Sequence, residues 1–528
     1  MKKAILYLIF LSIFFLPLFS IAQSKDPFFE KGVELYGNKD FDGAMTYFTK
    51  EIALNPNNLE AYNYRGIIKV QQGDFKGAID EFSKIITVNP NIDLPYANRA
   101  YAKMNINDNK GAVEDCDHAI ALNPKSTIAY TNRGNAKNRL GDYNGAMSDF
   151  NKLIEINPND ATAYVNRGNS KNGLADFKGG LEDLNKAIQL DDKQPEAYID
   201  RGISKGRLKD PYGAMDDFGK AIALNPKMAA SYLYRGMVRA ELNNYNEALA
   251  DFNEVLALSP KNAEAFEKRG AVNLKLGNFG AAGADLSEAI ILNPDNAESY
   301  YNRAEVKMKM NDNSGATDDF NKAISLNADF AEAYHDRGCV KLALNDYAGA
   351  LEDLNRAIRI DPQVASAFYS RALTRAALRQ NPEAVADFGR AISIDPGYSE
   401  AYYYRAALYL EMNNPAAALP DLNKAIDGNI NVPYAYYMRG YVNVVVKNNT
   451  GAIADFSKAI ELNPSNSGAY LERGKLYYTL NNKVAAKADW TKAAALGDRM
   501  AALFLKIPPQ KHRASAADPA SNWKVWKK

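Results

Sequence analysis

Cysteine is nearly absent from this chain, with two in 528 residues, which excludes a disulfide-stapled scaffold. Three histidines, His118, His335 and His512, lie far apart and leave little for a His-rich metal site. Neither sign of charge is in excess: 64 Lys and Arg stand against 63 Asp and Glu, so no net field draws the chain to nucleic acid. No phosphate-cradling glycine loop, nucleophile elbow or His-Glu-x-x-His motif occurs. No enzyme and no cofactor are therefore expected. What is present is ordinary for a folded protein, with 47% apolar and 24% charged residues, which argues against wholesale disorder.

The one long apolar run stands at the start. Met1-Lys2-Lys3 is followed by uncharged, apolar sequence from Ala4 to Ile21, and Ser20-Ile21-Ala22 places small residues three and one before a cut ahead of Gln23. That is the anatomy of a secretory signal peptide over residues 1–22. An uncut membrane anchor is the alternative, since such a run is just long enough to span a bilayer. No cysteine lies near the cut, so no lipid-modified N-terminus is expected. The mature chain is expected outside the cytoplasm, as a periplasmic, outer-membrane-associated or secreted protein of a bacterial envelope.

From Lys25 to Met500 the sequence repeats every 34 residues, 14 times, without insertion or deletion. Position four is aromatic in every copy, from Phe28 and Tyr62 to Tyr470. Position eight is Gly or Ala, position twenty is Ala in 13 copies with Gly180 the exception, and position 24 is Phe, Leu, Trp or Cys. Position 32 is Pro in ten copies, such as Pro56 and Pro124. Apolar residues recur at helical spacing in two blocks per copy, broken by turn pairs such as Gly73-Asp74 and Asn345-Asp346. The small residues let two antiparallel helices approach, and proline stops the second because it lacks an amide hydrogen and clashes with the preceding turn. One such hairpin cannot bury its apolar face alone, so the copies must stack.

This order of aromatic, small, small, aromatic and proline resembles the tetratricopeptide repeat (TPR). The resemblance implies an all-α fold: a right-handed α-solenoid of about 14 helix-turn-helix units over residues 25–500. Residues 501–507 read as the end of a C-terminal capping helix, and 508–528 as a disordered basic tail bearing Trp523 and Trp526. Cys116 and Cys339, seven repeats apart, are too distant to bridge; Cys116 takes a core aromatic's place, and neither belongs to a redox motif. The fifth repeat is locally weakest, with Gly173, Gly179, Gly180 and Asp192 in place of proline. Each helix glycine costs ~0.5–1 kcal/mol relative to Ala, which predicts a hinge or early-exchanging segment over 161–194.

Position seven is Arg in 13 copies and position 23 is Asp in 12. A hairpin folding near position 15 sets these two level, so Arg133 with Asp149, and Arg167 with Asp183, are expected to pair as a structural ladder. Reach to the neighbouring repeat's Asp is the alternative. A basic row at position eleven, from Lys69 to Arg239, reads as a solvated edge or a face for acidic ligands. Asp80–Lys84, Glu182–Lys186, Asp216–Lys220 and Glu352–Arg356 are expected helix pairs, each worth ~0.2–0.5 kcal/mol.

The resemblance implies that first-helix positions two, five, six, nine, twelve and thirteen line a concave groove. Two clusters fall there. The first holds Asn98, Asn132, Asn135, Asn166 and Asn169, whose amides offer donor and acceptor to successive peptide groups; it is similar to the asparagine ladder of the O-GlcNAc transferase superhelix. The second is an aromatic wall of Tyr301, Tyr369, Tyr403, Tyr437 and Tyr441, with His335 at its rim and Tyr434 nearby, exposed for contact. Inter-repeat packing is the competing reading of both. No copy has the position-five Lys that a chaperone-tail clamp requires. The expected function is a non-catalytic interaction scaffold that holds extended segments of other envelope proteins or peptides. A glycan or cell-wall binder is the alternative, and membrane contact is expected only through the tail or an uncut N-terminal segment.

Overall fold

The computed structural model describes residues 26–430 and 432–506; the expected signal segment and basic tail lie outside them. Among the described residues there are twenty-nine helices, α1 (Pro27–Gly37) through α29 (Arg499–Lys506), and no strand. They form an all-α solenoid of tandem repeats that divides into two compact units, one ending at Leu276 and the other beginning at Gly277. Odd-numbered helices up to α27 (Ser467–Thr479) are the first of each hairpin. They begin at 34-residue intervals, as in α3 (Leu59–Gln71), α5 (Asp93–Asn105) and α7 (Thr127–Leu140).

Local chemistry ends and restarts each helix at the same place. Position 15 adopts a left-handed backbone in repeat after repeat, as at Gly73, Asn107, Gly141 and Asn345. The next residue caps the second helix, with Asp74, Asp108 and Asp142 accepting a hydrogen bond from the amide three residues on. Packing then follows from size. Phe82 and Phe150 at position 24 are fully buried, and a Cβ added at Gly66 or Gly134 would stand 2.6 Å from their rings. A small residue at position eight lets the two helices close over so large a ring, Gly here and Ala at Ala304 and Ala372, where Phe320 and Phe388 are also fully buried.

The fifth repeat differs from its expected looseness in one respect. A Cβ on Gly173 would collide with the Tyr143 ring, and one on Gly180 with the Asn172 amide oxygen. These glycines serve close approach, so their helix cost accompanies tight packing of α9 (Ala161–Gly173) and α10 (Phe177–Leu190). Strain does remain at its turn, where Ala175 holds a φ of 62°.

The other end closes with α29, which buries Ala501 and sets Phe504 5.3 Å from the Trp490 ring. Cys116 is fully buried in its aromatic's place. The four expected helix pairs form no ion pair. Lys84 lies over the Tyr62 ring at 5.5 Å, Lys186 reaches Gln189, and Arg356 turns to Asp329 of the preceding hairpin.

Candidate functional site

A position-seven arginine is held on three sides wherever position 25 of the preceding repeat carries a side chain, which it lacks at Gly219 and Gly389 ahead of Arg235 and Arg405. Its fork grips the carboxylate of its own hairpin: Arg133 with Asp149, Arg167 with Asp183 at 2.6 Å, Arg371 with Asp387 at 2.6 Å. Its third nitrogen reaches back to position 25 of the preceding repeat, as Arg167 to Asn151 (2.7 Å), Arg99 to Ser83 (3.0 Å) and Arg371 to Asn355 (2.8 Å). Its plane covers the position-four ring, 5.3 Å away for Arg167 over Tyr164. The acid partner is its own repeat's, and the neighbour is reached through a neutral or acidic residue instead. One side chain thus fixes both hairpin closure and repeat-to-repeat register.

The basic row at position eleven belongs to the same device, which corrects both readings of it. Lys69 reaches Glu81 at 2.7 Å, Lys137 reaches Asp149 at 2.9 Å, and Arg375 reaches Asp387 at 2.6 Å. These carboxylates are almost wholly buried, so each needs both cations, and the row is no free face for acidic ligands.

With the ladder spent on register, variation is left to the seam between successive first helices. In repeats three to five of the amino-terminal unit, position five carries the modest side chains of Ala97, Thr131 and Val165, and the seam closes. The position-six asparagines lie inside it: Asn98 is 1% exposed, Asn132 2% and Asn166 5%, with Asn135 at position nine also 2%. Asn98 donates to Asn63 across 3.2 Å, and Asn132 donates to the Ala97 carbonyl of α5 across 3.0 Å. Farther along, Ser170 donates to Asn138, while Asn172 accepts from Ser204 and donates to the Asp200 carbonyl of α11 (Pro195–Arg207). Asn169, half-buried, donates to both Asp200 carboxylate oxygens at 3.2 Å. Burial lifts the Asp200 carboxyl to about 7 against the opposing effect of Asn169.

The row is not fully satisfied. Within the protein both amide atoms of Asn135, the side-chain oxygens of Asn98 and Asn132, and the amide nitrogen of Asn166 have no hydrogen-bond partner. A buried polar atom left in that state costs about 1–3 kcal/mol. The predicted asparagines are therefore brought together, but between helices rather than on an open wall. Asn63, Ser170, Ser204 and Asp200 were missed; the polar residue at position six of the sixth repeat, Asp200, was the available signal.

In the carboxy-terminal unit the seam is filled by rings. Tyr369 lies 4.9 Å from Tyr398 and 5.7 Å from Phe388, Tyr437 lies 5.8 Å from Phe456, and Tyr301 lies 4.9 Å from Phe330. Tyr403 packs at 5.0 Å on Tyr404, and Tyr441 borders the same cluster. All are half-buried, so the expected exposed wall is corrected to rings wedged between repeats. His335 is likewise no rim residue. Its Nδ1 is 2.8 Å from Asp336 and its Nε2 is 3.2 Å from Ser370 and 3.6 Å from the Cys339 sulfur. Tyr301 donates to the other Asp336 oxygen at 2.7 Å. Burial pulls the imidazolium down, but the hydrogen bonds with Asp336 and Cys339 outweigh it and push it up to about 10.

Among the described residues no His, Cys, Asp and Glu side chains cluster as a metal site, and no helix is long and apolar enough to cross a membrane. A family model described as TPR repeat matches residues 134–173, 236–277 and 447–481. Two tetratricopeptide repeat models match 29–91, 301–365 and 335–399, and 388–419, so the matches together span more than half the chain. No curated protein matches the sequence. Similar solved structures include the APC/C hetero-tetramer Cut9–Hcn1, 13% identical over 93% of this chain and 97% of that one, with a TM-score of 0.43. Yeast Tom70 is 19% identical over 80% and 96%, with a TM-score of 0.35. YrrB, titled a TPR protein with an unusual peptide-binding site, is 25% identical over 35% and 96%, with a TM-score of 0.29.

Proposed function

The chain belongs to the tetratricopeptide repeat family, and we propose that it is a protein-interaction scaffold outside the cytoplasm that takes an extended peptide segment along the first helices of repeats two to six. Its partners are segments of other envelope proteins. The compartment rests on the signal-like residues 1–22.

The observation that carries this reading is Asn135, with an amide that is 2% exposed and has neither donor nor acceptor partner within the protein. Together with Asn98, Asn132 and Asn166 it keeps spare hydrogen-bonding capacity at intervals along one seam. An extended peptide offers alternating amide hydrogens and carbonyls, the complement that primary amides require. To reach them it must part the neighbouring first helices, so binding opens the seam and satisfies the row in one step. The half-buried Asn138 and Asn169 stand at its edge as the first points of contact.

Capture of crosslinked peptides from native envelope by the chain starting at Gln23 tests this. The double variant Asn135→Leu, Asn166→Leu should lose the peptides held by the unaltered chain while circular dichroism remains that of a folded helical protein. Equal capture by both forms would refute the seam as the binding surface.

A further inference from the structure

Cys339 stands out among groups that the scaffold reading leaves unused. It lies one turn after His335 on α19 (Ala331–Ala343), so both side chains share one helix face. Ser370, on the first helix of the next repeat (Ala365–Ala377), meets both: its hydroxyl is 3.4 Å from the sulfur and 3.2 Å from the imidazole. Asp336 fixes the ring through Nδ1, and the Tyr301 hydroxyl of the preceding repeat holds Asp336 in turn. The order is nucleophile, imidazolium, orienting acid and anchor, with every link a hydrogen-bond contact. The thiol itself is part-buried, whereas Cys116, the other cysteine, is sealed in the core with no imidazole beside it.

We propose that Cys339 is a reactive thiol that exchanges with low-molecular-weight disulfides. At neutral pH His335 is an imidazolium held by Asp336, and its Nε2–H donates to the Cys339 sulfur and stabilises the thiolate left when the thiol proton passes to water. The thiolate attacks one sulfur of a disulfide RSSR; that S–S bond breaks as the Cys339–S–S–R bond forms. The leaving RS⁻ takes a proton from His335, which regains one from water, and departs as RSH. Cys339 is oxidised to the mixed disulfide, one sulfur of RSSR is reduced to a thiol, and no other oxidant is needed. The site shares no residue with the asparagine seam, so its failure would leave the scaffold reading untouched.

Oxidised glutathione with the full chain at pH 7, followed by mass spectrometry of the two cysteine peptides, tests the proposal. The expected result is glutathione on Cys339 and none on Cys116. Its rate should be on the order of tenfold or more above that of His335→Gln, because the thiolate is the attacking species. Asp336→Asn should also slow it. Labelling of Cys116 reports any variant that has unfolded, and the unaltered chain then decides against N-acetylcysteine under the same conditions. Reaction no faster than that free thiol, or a rate unchanged in folded His335→Gln, would overturn the assignment.

Discussion

Repeats two to six and repeats nine to thirteen share one ladder and differ in one seam. In both, arginine, carboxylate and preceding-repeat polar residue recur with the same geometry, as in Arg167–Asp183–Asn151 and Arg371–Asp387–Asn355, with Gly389 ahead of Arg405 the exception. Between first helices they part. Small position-five residues such as Ala97 let asparagines bury against the neighbouring helix, whereas Tyr369 and Tyr437 fill that space with rings. Holding register with a recurring polar ladder frees the seam to vary, and in this chain it varies from under-satisfied amides to packed aromatics.

The largest expected effect falls equally on both regions. Asp149→Ala and Asp387→Ala each strand two cations around a buried site and should each cost ~3–5 kcal/mol by chemical denaturation. A loss confined to one region would break the claim of a common ladder. Tyr369→Ala should then cost roughly 2–3 kcal/mol, through lost ring packing, with local exchange rising over repeats ten to twelve.

A pH titration sharpens the comparison from the polar side. The folded Asp200 carboxyl, lifted to about 7, keeps a proton that the unfolded chain releases near ~4. Stability from this group is therefore full at acid pH and lost as pH rises from about 4 to 7, by up to about 4 kcal/mol. Asp200→Asn should flatten that slope, and an unchanged slope would remove Asp200 as its source. The smallest effect is local: Ala175→Gly relieves a left-handed alanine and should add up to about 1 kcal/mol while slowing exchange over 161–194.

The repeat unit could be read from the sequence because its positions obey local rules: aromatics at four, small residues at eight and twenty, caps after position 15. The ladder's own-repeat partner was legible to within one alternative, since Arg133 and Asp149 sit level across a hairpin. The position-eleven row was not. Its partner carboxylate is already claimed by the position-seven arginine, and pairing arithmetic does not reveal a shared acid. Burial of Asn98 and Asn132 depends on how closely α5 and α7 approach, a distance between repeats that no single repeat encodes. The surroundings of His335 likewise come from three repeats at once, through Tyr301, Asp336 and Ser370.

The most direct test of the account is the thermal stability of Asn135→Leu in the unliganded chain. Leucine keeps the number of side-chain heavy atoms and removes two buried amide atoms that have no partner within the protein. A gain of ~1–3 kcal/mol, seen as a higher Tm, is the predicted result, since an unsatisfied amide weakens the free protein. A loss of similar size would mean that Asn135 is paired within the native fold, and the asparagine seam would then be ordinary packing.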